Sequence, residues 1–200
     1  MSTRLTLPEV GGPLTDFVKK LESDQGEEWL RGFKKFLRKE NPWEKPETFK
    51  IIEIGTYKDV KSLRKALEQS GARIGDWASN ILNKTKLSKS RQSLDLVDAS
   101  VEELGFPQGA QLQDIYEAGN KQGWDLCPDE AAAQYLRQHG KDLKPGEVLI
   151  FAMEPIKDSG GDLRLFLVEH GDGARWLSAY HGHPDGHWGA GRRFVFVRRK

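Results

Sequence analysis

The feature that most constrains the fold is the C-terminal third, where runs of β-branched and aromatic residues alternate with glycine-rich turns. Strand composition occurs at residues 148–156, 163–169, 175–180 and 194–198. Ser-Gly-Gly at 159–161 and Gly-Asp-Gly at 171–173 lie between neighbouring runs, and glycine adopts the positive φ angles of tight turns without steric cost. Such short connections join antiparallel strands. We therefore expect an antiparallel sheet in the C-terminal third.

Two of these runs, residues 149–151 and 194–197, are apolar at consecutive positions. A strand that is apolar on both sides is typical of a sheet covered on both faces. Predicted helices at 111–120 and 128–140 are expected to supply the cover. In the second, Pro128 and two acids suit the first helical turn.

The rest of the chain predicts helices with single strands between them. Expected strands lie at 49–54 and 94–101, and expected helices at 59–70 and 76–83, the latter with Trp77 facing inward. Residues 1–46 predict a helical segment. The fold class is therefore α+β, with a helical N-terminal region, a mixed middle and the C-terminal sheet, divided as 1–46 and 47–200.

A second N-terminal helix is predicted at 27–39 and combines one apolar face with one basic face. Its apolar residues recur with a helical period: Trp29, Leu30, Phe33, Phe36 and Leu37. Such a face is typical of a helix packed on its own domain. The alternative is a protein–protein adaptor, in which this helix docks on a partner or on a second copy of the chain.

Composition excludes several classes of protein. Six Trp and nine Phe are enough to build a core, and no run approaches the roughly 20 apolar residues that cross a bilayer. No leader sequence is evident at the start. Cys127 is the one cysteine, so no internal disulfide forms. We expect a cytoplasmic protein with no membrane partner.

Charge is distributed unevenly along the chain. Residues 1–91 carry 19 Lys or Arg against 13 Asp or Glu, whereas residues 92–191 carry 7 against 17, and the last nine residues add five cations. Such asymmetry favours contact of the first half or the tail with a polyanion. The alternative is that the two halves attract each other.

A basic loop follows a stretch that loosely fits a helix-turn-helix, residues 67–77. Its cations are Lys84, Lys86, Lys89 and Arg91. In a nucleic-acid complex the second helix would enter the major groove while these cations neutralise phosphates. The alternative is a helical hairpin packed on the sheet.

A second candidate site is rich in histidine. His181, His183 and His187 lie within seven residues, with Asp185 among them. Three imidazoles are able to hold a catalytic zinc ion and leave its fourth position for water, which would suit a metal-assisted hydrolase or nuclease. The alternative is a solvated turn, and no other cofactor is predicted.

For two further sets of residues, the sequence pattern alone does not decide between a catalytic and a structural role. Cys127 precedes Pro128 at a helix start, where a thiolate would be stabilised, but its apolar neighbours favour a buried thiol. Acid–base chemistry would require four residues of the sheet region to gather: Glu154, Glu169, His170 and Arg175. No catalytic residue is predicted.

Several short segments of the sequence resemble those of a known family. They are KFLRKENPW (35–43), RIGDWA (73–78), VEELGF (101–106), LCPDE (126–130), IFAMEPI (150–156) and RFVFVR (193–198). Together these segments resemble a family of bacterial proteins of unknown function, found largely in genomes of uncultured candidate phyla. The resemblance implies a bacterial, cytoplasmic origin and assigns no activity. From the basic first half, the basic loop at 84–91 and the cationic last strand, we expect a non-enzymatic binding protein with nucleic acid as the partner. The alternatives are a metal-assisted hydrolase or nuclease that uses the histidine-rich loop, and a protein–protein adaptor.

Overall fold

The computed structural model describes residues 7–37 and 48–199, and the chain divides into two units, residues 1–47 and 48–200. The first unit contains helices α1 (Leu7–Leu21) and α2 (Gly26–Leu37). The rings of Phe17 and Phe33 lie 4.7 Å apart between them. The predicted end of the second helix at residue 39 and the boundary at 46–47 lie outside the described residues.

The second unit contains four more α-helices, which form at the predicted segments, and a short 3-10 helix at Gly140–Asp142. The α-helices are α3 (Val60–Gln69), α4 (Asp76–Leu82), α5 (Leu112–Lys121) and α6 (Ala131–His139). The last α-helix begins at Ala131, so Pro128 precedes it instead of lying in its first turn as predicted. Asp59 begins α3, because its carboxylate accepts the Ser62 N–H at 2.7 Å and so satisfies a backbone donor that has no partner within the helix. No helix of the described chain is long and apolar enough to cross a membrane.

Over residues 48–199, the second unit also contains eleven strands, the last six of which follow one another without an α-helix between them. The strands are β1 (Lys50–Ile54), β2 (Ala72–Ile74), β3 (Gln92–Ser100), β4 (Ala110–Gln111), β5 (Trp124–Asp125), β6 (Val148–Phe151), β7 (Ile156–Lys157), β8 (Leu163–Gly171), β9 (Ala174–His181), β10 (His187–Trp188) and β11 (Arg193–Arg198). Nine of them form one sheet with the order β1-β3-β11-β6-β8-β9-β2, in which β5 also pairs with β11 and β7 with β8. Strands β4 and β10 pair separately.

The sheet is mixed, which confirms the α+β class but not the predicted layout. The two glycine turns do produce antiparallel β7–β8 and β8–β9 pairs, as expected. However, β11 is parallel to β6, and β2 is parallel to β9. The sheet also includes β1, β2 and β3, which come from the first half of the chain. Hairpin chemistry determines only neighbours along the chain, so these distant pairings were not predicted.

Both faces of the sheet are covered, as the consecutive apolar runs predicted. Helix α6 packs on one face, where the rings of Tyr135 and Phe151 meet at 5.7 Å. Helix α5 packs on the opposite face, against Phe196. A Cβ atom at Gly119 would lie 2.5 Å from that ring, so only glycine permits this close approach. The core lies between these helices and the central strands.

The helix-turn-helix interpretation is wrong. The segment between α3 and α4 is not a turn but strand β2, which pairs with β9 at the edge of the sheet. Helix α4 buries Ala78, Ile81 and Leu82, whereas Trp77 is 50% exposed rather than inward. Because these three residues already form the inner face of a seven-residue helix, Trp77 lies beside that face.

We predict that residues 48–200 fold without the N-terminal unit. Every buried hydrophobic residue of the described chain lies between Ile52 and Phe196, so the shortened protein retains the whole core. We expect cooperative thermal unfolding and a near-UV circular dichroism spectrum with a folded aromatic core. A gradual, non-cooperative transition in the shortened chain would contradict this.

Candidate functional site

The basic loop, residues 84–91, is held in place by the carboxylates that precede α6. Glu130 is fully buried, at 0% exposure. Its carboxylate accepts the Ser88 N–H at 2.7 Å, the Gly55 N–H at 3.2 Å and the Gln134 side-chain amide at 2.9 Å. Asp129 accepts a backbone N–H from the same loop, that of residue 86, at 3.0 Å. These bonds satisfy the buried charge and hold the backbone of the loop.

All four cations of the basic loop are exposed, but their side chains have different surroundings. The Lys84 ammonium donates to the Lys157 carbonyl at 2.7 Å. The Arg91 guanidinium forms an ion pair with Glu53 at 2.6 Å, although 73% of the arginine side chain is exposed. Lys86 and Lys89 extend from the part of the loop that the two carboxylates hold. These two are therefore the cations best placed to meet a phosphate.

Helix α4 and the turn after it contact the connection between β7 and β8. Within α4, Asn80 lies one turn after Trp77 and on the same side of the helix, and Lys84 follows in the turn after the helix ends. The Asn80 amide donates to the Ser159 hydroxyl at 2.8 Å and accepts the Ser159 N–H at 3.0 Å. Because Lys84 contacts the carbonyl of Lys157, the basic loop and the aromatic end of α4 adjoin the same connection.

A buried arginine lies beneath Trp77. Arg164 is 4% exposed, and its guanidinium carbon is 4.0 Å from the centre of the Trp77 ring. The guanidinium donates to Asp158 at 2.9 Å, to Asp162 at 3.2 Å and to Nδ1 of His181 at 3.2 Å. Since a guanidinium only donates, this His181 nitrogen is the acceptor. One face of the indole therefore rests on a fully engaged cation, and its exposed surface belongs to the other face and the edges.

Asp158 organises this cluster. The Arg164 hydrogen bond, with further donation from the Asp162 and Gly160 backbone amides, holds the pKa of the Asp158 carboxyl below its ordinary value. The same two amides donate to Oδ1 at 3.0 and 2.8 Å, which shapes the glycine turn between β7 and β8. Asp158 thus couples the turn to the position of Arg164.

Two aromatic side chains meet at this surface, where the His181 ring lies 6.1 Å from the ring of Trp77. Tyr180, the preceding residue of β9, is 50% exposed but belongs to the opposite face of the sheet, where its ring lies 5.5 Å from that of Trp188. An open depression of about 410 Å³ borders the indole; its lining is Gly75, Asp76, Trp77, Ala78, Ser178 and Ala179. The surface therefore offers flat, partly exposed rings next to an open space.

The predicted zinc ligands do not come together. His181 is engaged with Arg164, His183 lies exposed in the following turn, and His187 is in β10 with its ring against Gly109. In the part of the chain that the structure describes, no group of three or more His, Cys, Asp or Glu side chains is placed to hold a metal ion. The zinc hypothesis stays a prediction from the sequence.

The other candidate residues are separated or buried. Glu169 and His170 are adjacent in β8 and so point to opposite faces; the first accepts from Ser178 at 2.5 Å and the second contacts the Leu143 carbonyl at 2.9 Å. Arg175 is opposite His170 in the strand register, and Glu154 is exposed beyond β6. The acid–base set therefore does not gather.

Cys127 has the environment of a structural residue. It is 4% exposed, its thiol donates to the Val195 carbonyl at 3.3 Å, and burial raises its pKa well above the ordinary range. A thiol that stays protonated is a poor nucleophile. The expectation of a buried thiol is confirmed.

Two residues of this surface were missed by the sequence analysis: Arg164 and Lys157. Trp77 was noted but assigned to the core. The apolar spacing within α4 was a usable signal for its exposure, whereas nothing local links Arg164 to an indole in another element. Comparison of the chain with protein-family models, with curated proteins and with solved structures finds no match.

We predict that Glu130→Gln destabilises the second unit by about 1 to 3 kcal/mol. Both carboxylate oxygens accept hydrogen bonds, so an amide group would place a donor against the donors of Gly55 or Gln134. Urea unfolding measures the loss, and hydrogen exchange at Ser88 should accelerate. Glu102→Gln, at an exposed position, is the control and should change stability by less than about 0.5 kcal/mol.

We predict that the stability difference between the wild type and Asp158→Asn depends on pH. Because the folded-state pKa of Asp158 is lowered, its contribution is complete above the ordinary value of about 3.9 and is lost as pH falls through the lowered folded-state value. Urea unfolding of both proteins between neutral pH and about pH 3 measures this. A difference that stays constant over that range would exclude the ionised Asp158–Arg164 pair as its source.

Proposed function

We propose that this chain is a non-enzymatic binding protein whose basic loop, residues 84–91, contacts the phosphates of a nucleic acid. The observation that carries the proposal is the position of Lys86 and Lys89 on a loop whose backbone is held by the buried Glu130. A cation on an ordered backbone loses less conformational freedom on binding than one on a mobile segment. Phosphate contacts of this kind supply most of the affinity of non-specific nucleic-acid binding.

The local arrangement of charge supports an anionic partner. The acids near the loop are held inward: Glu130 is buried, Asp129 accepts a backbone amide, and Glu53 is paired with Arg91. The lysine ammonium groups lie at the ends of long, exposed side chains. A phosphate that approaches from solvent therefore meets the cations before the carboxylates. The neighbouring Lys157 is exposed as well and adds a further positive charge beside Lys84.

A second candidate function, a protein–protein adaptor, is favoured by the N-terminal helices. Large apolar side chains are exposed there, namely Leu14, Val18, Leu30, Phe36 and Leu37. None of the described residues of these helices belongs to the buried core. Removal of residues 1–46 separates the two candidates, because an adaptor would lose its partner whereas nucleic-acid binding through residues 84–91 would persist.

We predict that the full chain binds labelled single-stranded RNA, single-stranded DNA or duplex DNA with an affinity that falls as salt rises. Fluorescence anisotropy across a salt series gives the slope of log affinity against log salt. Lys86→Gln with Lys89→Gln should lower that slope by about 0.7 to 0.9 for each phosphate contact removed. Arg91→Gln should have a smaller effect, since this arginine is paired with Glu53.

The matched control removes two exposed lysines elsewhere. Lys121 ends α5 on the opposite side of the sheet from α6, and Lys144 follows the far end of α6. Lys121→Gln with Lys144→Gln changes the net charge by the same amount and should leave binding unchanged. Equal losses in both double variants would indicate general charge attraction, and no binding by the wild type at low salt would overturn the proposal.

A further inference from the structure

One face of the Trp77 ring is exposed, and contacts between the basic loop and phosphates would not involve it. We propose that this ring stacks on unpaired bases, so that the nucleic acid the chain prefers is single-stranded. The inference rests on the proposed function, since it names the class of strand that the same surface binds. Stacking on an aromatic side chain tolerates any base, because every base has a π face.

The ring is pre-organised for stacking. Arg164 is buried beneath it and is held by three partners, so the guanidinium supports one face of the indole in a constant position. A ring that is already ordered loses little freedom when a base covers its other face. Trp77 is 50% exposed although Ala78, Ile81 and Leu82 already hold α4 against the sheet. The packing of α4 on the sheet and of the indole on Arg164 therefore leaves half of Trp77 open to solvent.

The charges around the ring favour a base over a phosphate. Asp76 lines the adjoining depression, and Asp162 beside Arg164 has a side chain that is 57% exposed. These carboxylates repel a phosphate but not an uncharged base. Phosphates are instead attracted to the lysines that follow α4. The surface thus has an aromatic part that suits bases and a cationic part that suits the backbone of the same strand.

The two parts of the surface lie at opposite ends of α4. Trp77 is in the first turn of this seven-residue helix, which is about 10 Å long, and the basic loop begins soon after its last residue. About three stacked nucleotides cover that length. The ring of His181 lies 6.1 Å from that of Trp77 and extends the aromatic part. In a duplex the base faces are already covered by neighbouring pairs, so a duplex reaches only the cations.

The test compares labelled single-stranded oligonucleotides of mixed sequence, as DNA and as RNA, with a duplex of the same length, using the full chain. We expect Trp77→Leu to weaken single-strand binding about tenfold, the fold-change expected from the loss of one stacked base. Duplex binding and the salt slope should not change, because the phosphate contacts remain. Trp77→Phe, which retains a ring, should recover much of the loss. Tyr180→Leu removes an equally exposed ring on the opposite face of the sheet and, as the control, should leave single-strand binding unchanged.

The outcomes distinguish this inference from the proposed function. If Trp77→Leu binds single strands as the wild type does, while the Lys86 and Lys89 double variant loses affinity, stacking is excluded and the phosphate-binding proposal stands. If neither variant differs from a wild type that binds, both are overturned. Thermal unfolding shows whether each variant is folded, and equal single-strand affinity of folded Trp77→Phe and Trp77→Leu would also exclude stacking. If Trp77→Leu does not fold, the quenching of indole fluorescence by single strands is compared between the wild type and Trp77→Phe, and equal quenching in the two would exclude stacking.

Discussion

The buried carboxylate of Glu130 is the interaction on which the candidate surface depends. A charge with 0% exposure is costly unless hydrogen bonds replace its lost hydration, and its donors come from three parts of the chain: the end of β1, the basic loop and the first turn of α6. These bonds stabilise the carboxylate and also determine where residues 84–91 lie. The basic loop has no apolar anchor of comparable depth, apart from the half-buried Leu87. Its order therefore follows from an electrostatic requirement of the interior rather than from its own composition.

The same physical logic applies at the other end of α4. Arg164 is a buried cation, and its neutralisation by Asp158 and Asp162 holds it beneath Trp77. At both places a buried charge with local partners supports side chains that remain at the surface. Breaking such a network leaves an unsatisfied group in the interior, so each has a structural cost beyond the contact that is lost. This coupling explains why stability and binding are both informative readouts for the variants of this region.

Local elements were well predicted, and their arrangement was not. The periodicity of α5 and α6 and the turn at Gly171–Gly173 depend on neighbours within a few residues, which a pattern records directly. Strand β2 is only three residues long and lies between two helices. From the sequence, this segment was therefore interpreted as the turn of a helix-turn-helix. The parallel pairs β6–β11 and β2–β9 join segments far apart in the chain, and a strand carries no local mark of its partner. The helix-turn-helix error has this origin, since the sheet edge that accepts β2 is built from residues about a hundred positions later.

The sequence by itself determined the class of fold, the hairpins of the C-terminal third, the burial of Cys127 and the presence of four cations after α4. Turn chemistry, hydrophobic period and charge are properties of adjacent residues, and that is sufficient for these features. Only the tertiary structure decided that Arg91 is paired with Glu53, that His181 accepts from Arg164 instead of joining His183 and His187, and that Trp77 faces solvent. Each of these outcomes depends on hydrogen bonds or packing between distant segments. Such contacts arise from the shape of the folded sheet, and no spacing along the chain encodes them.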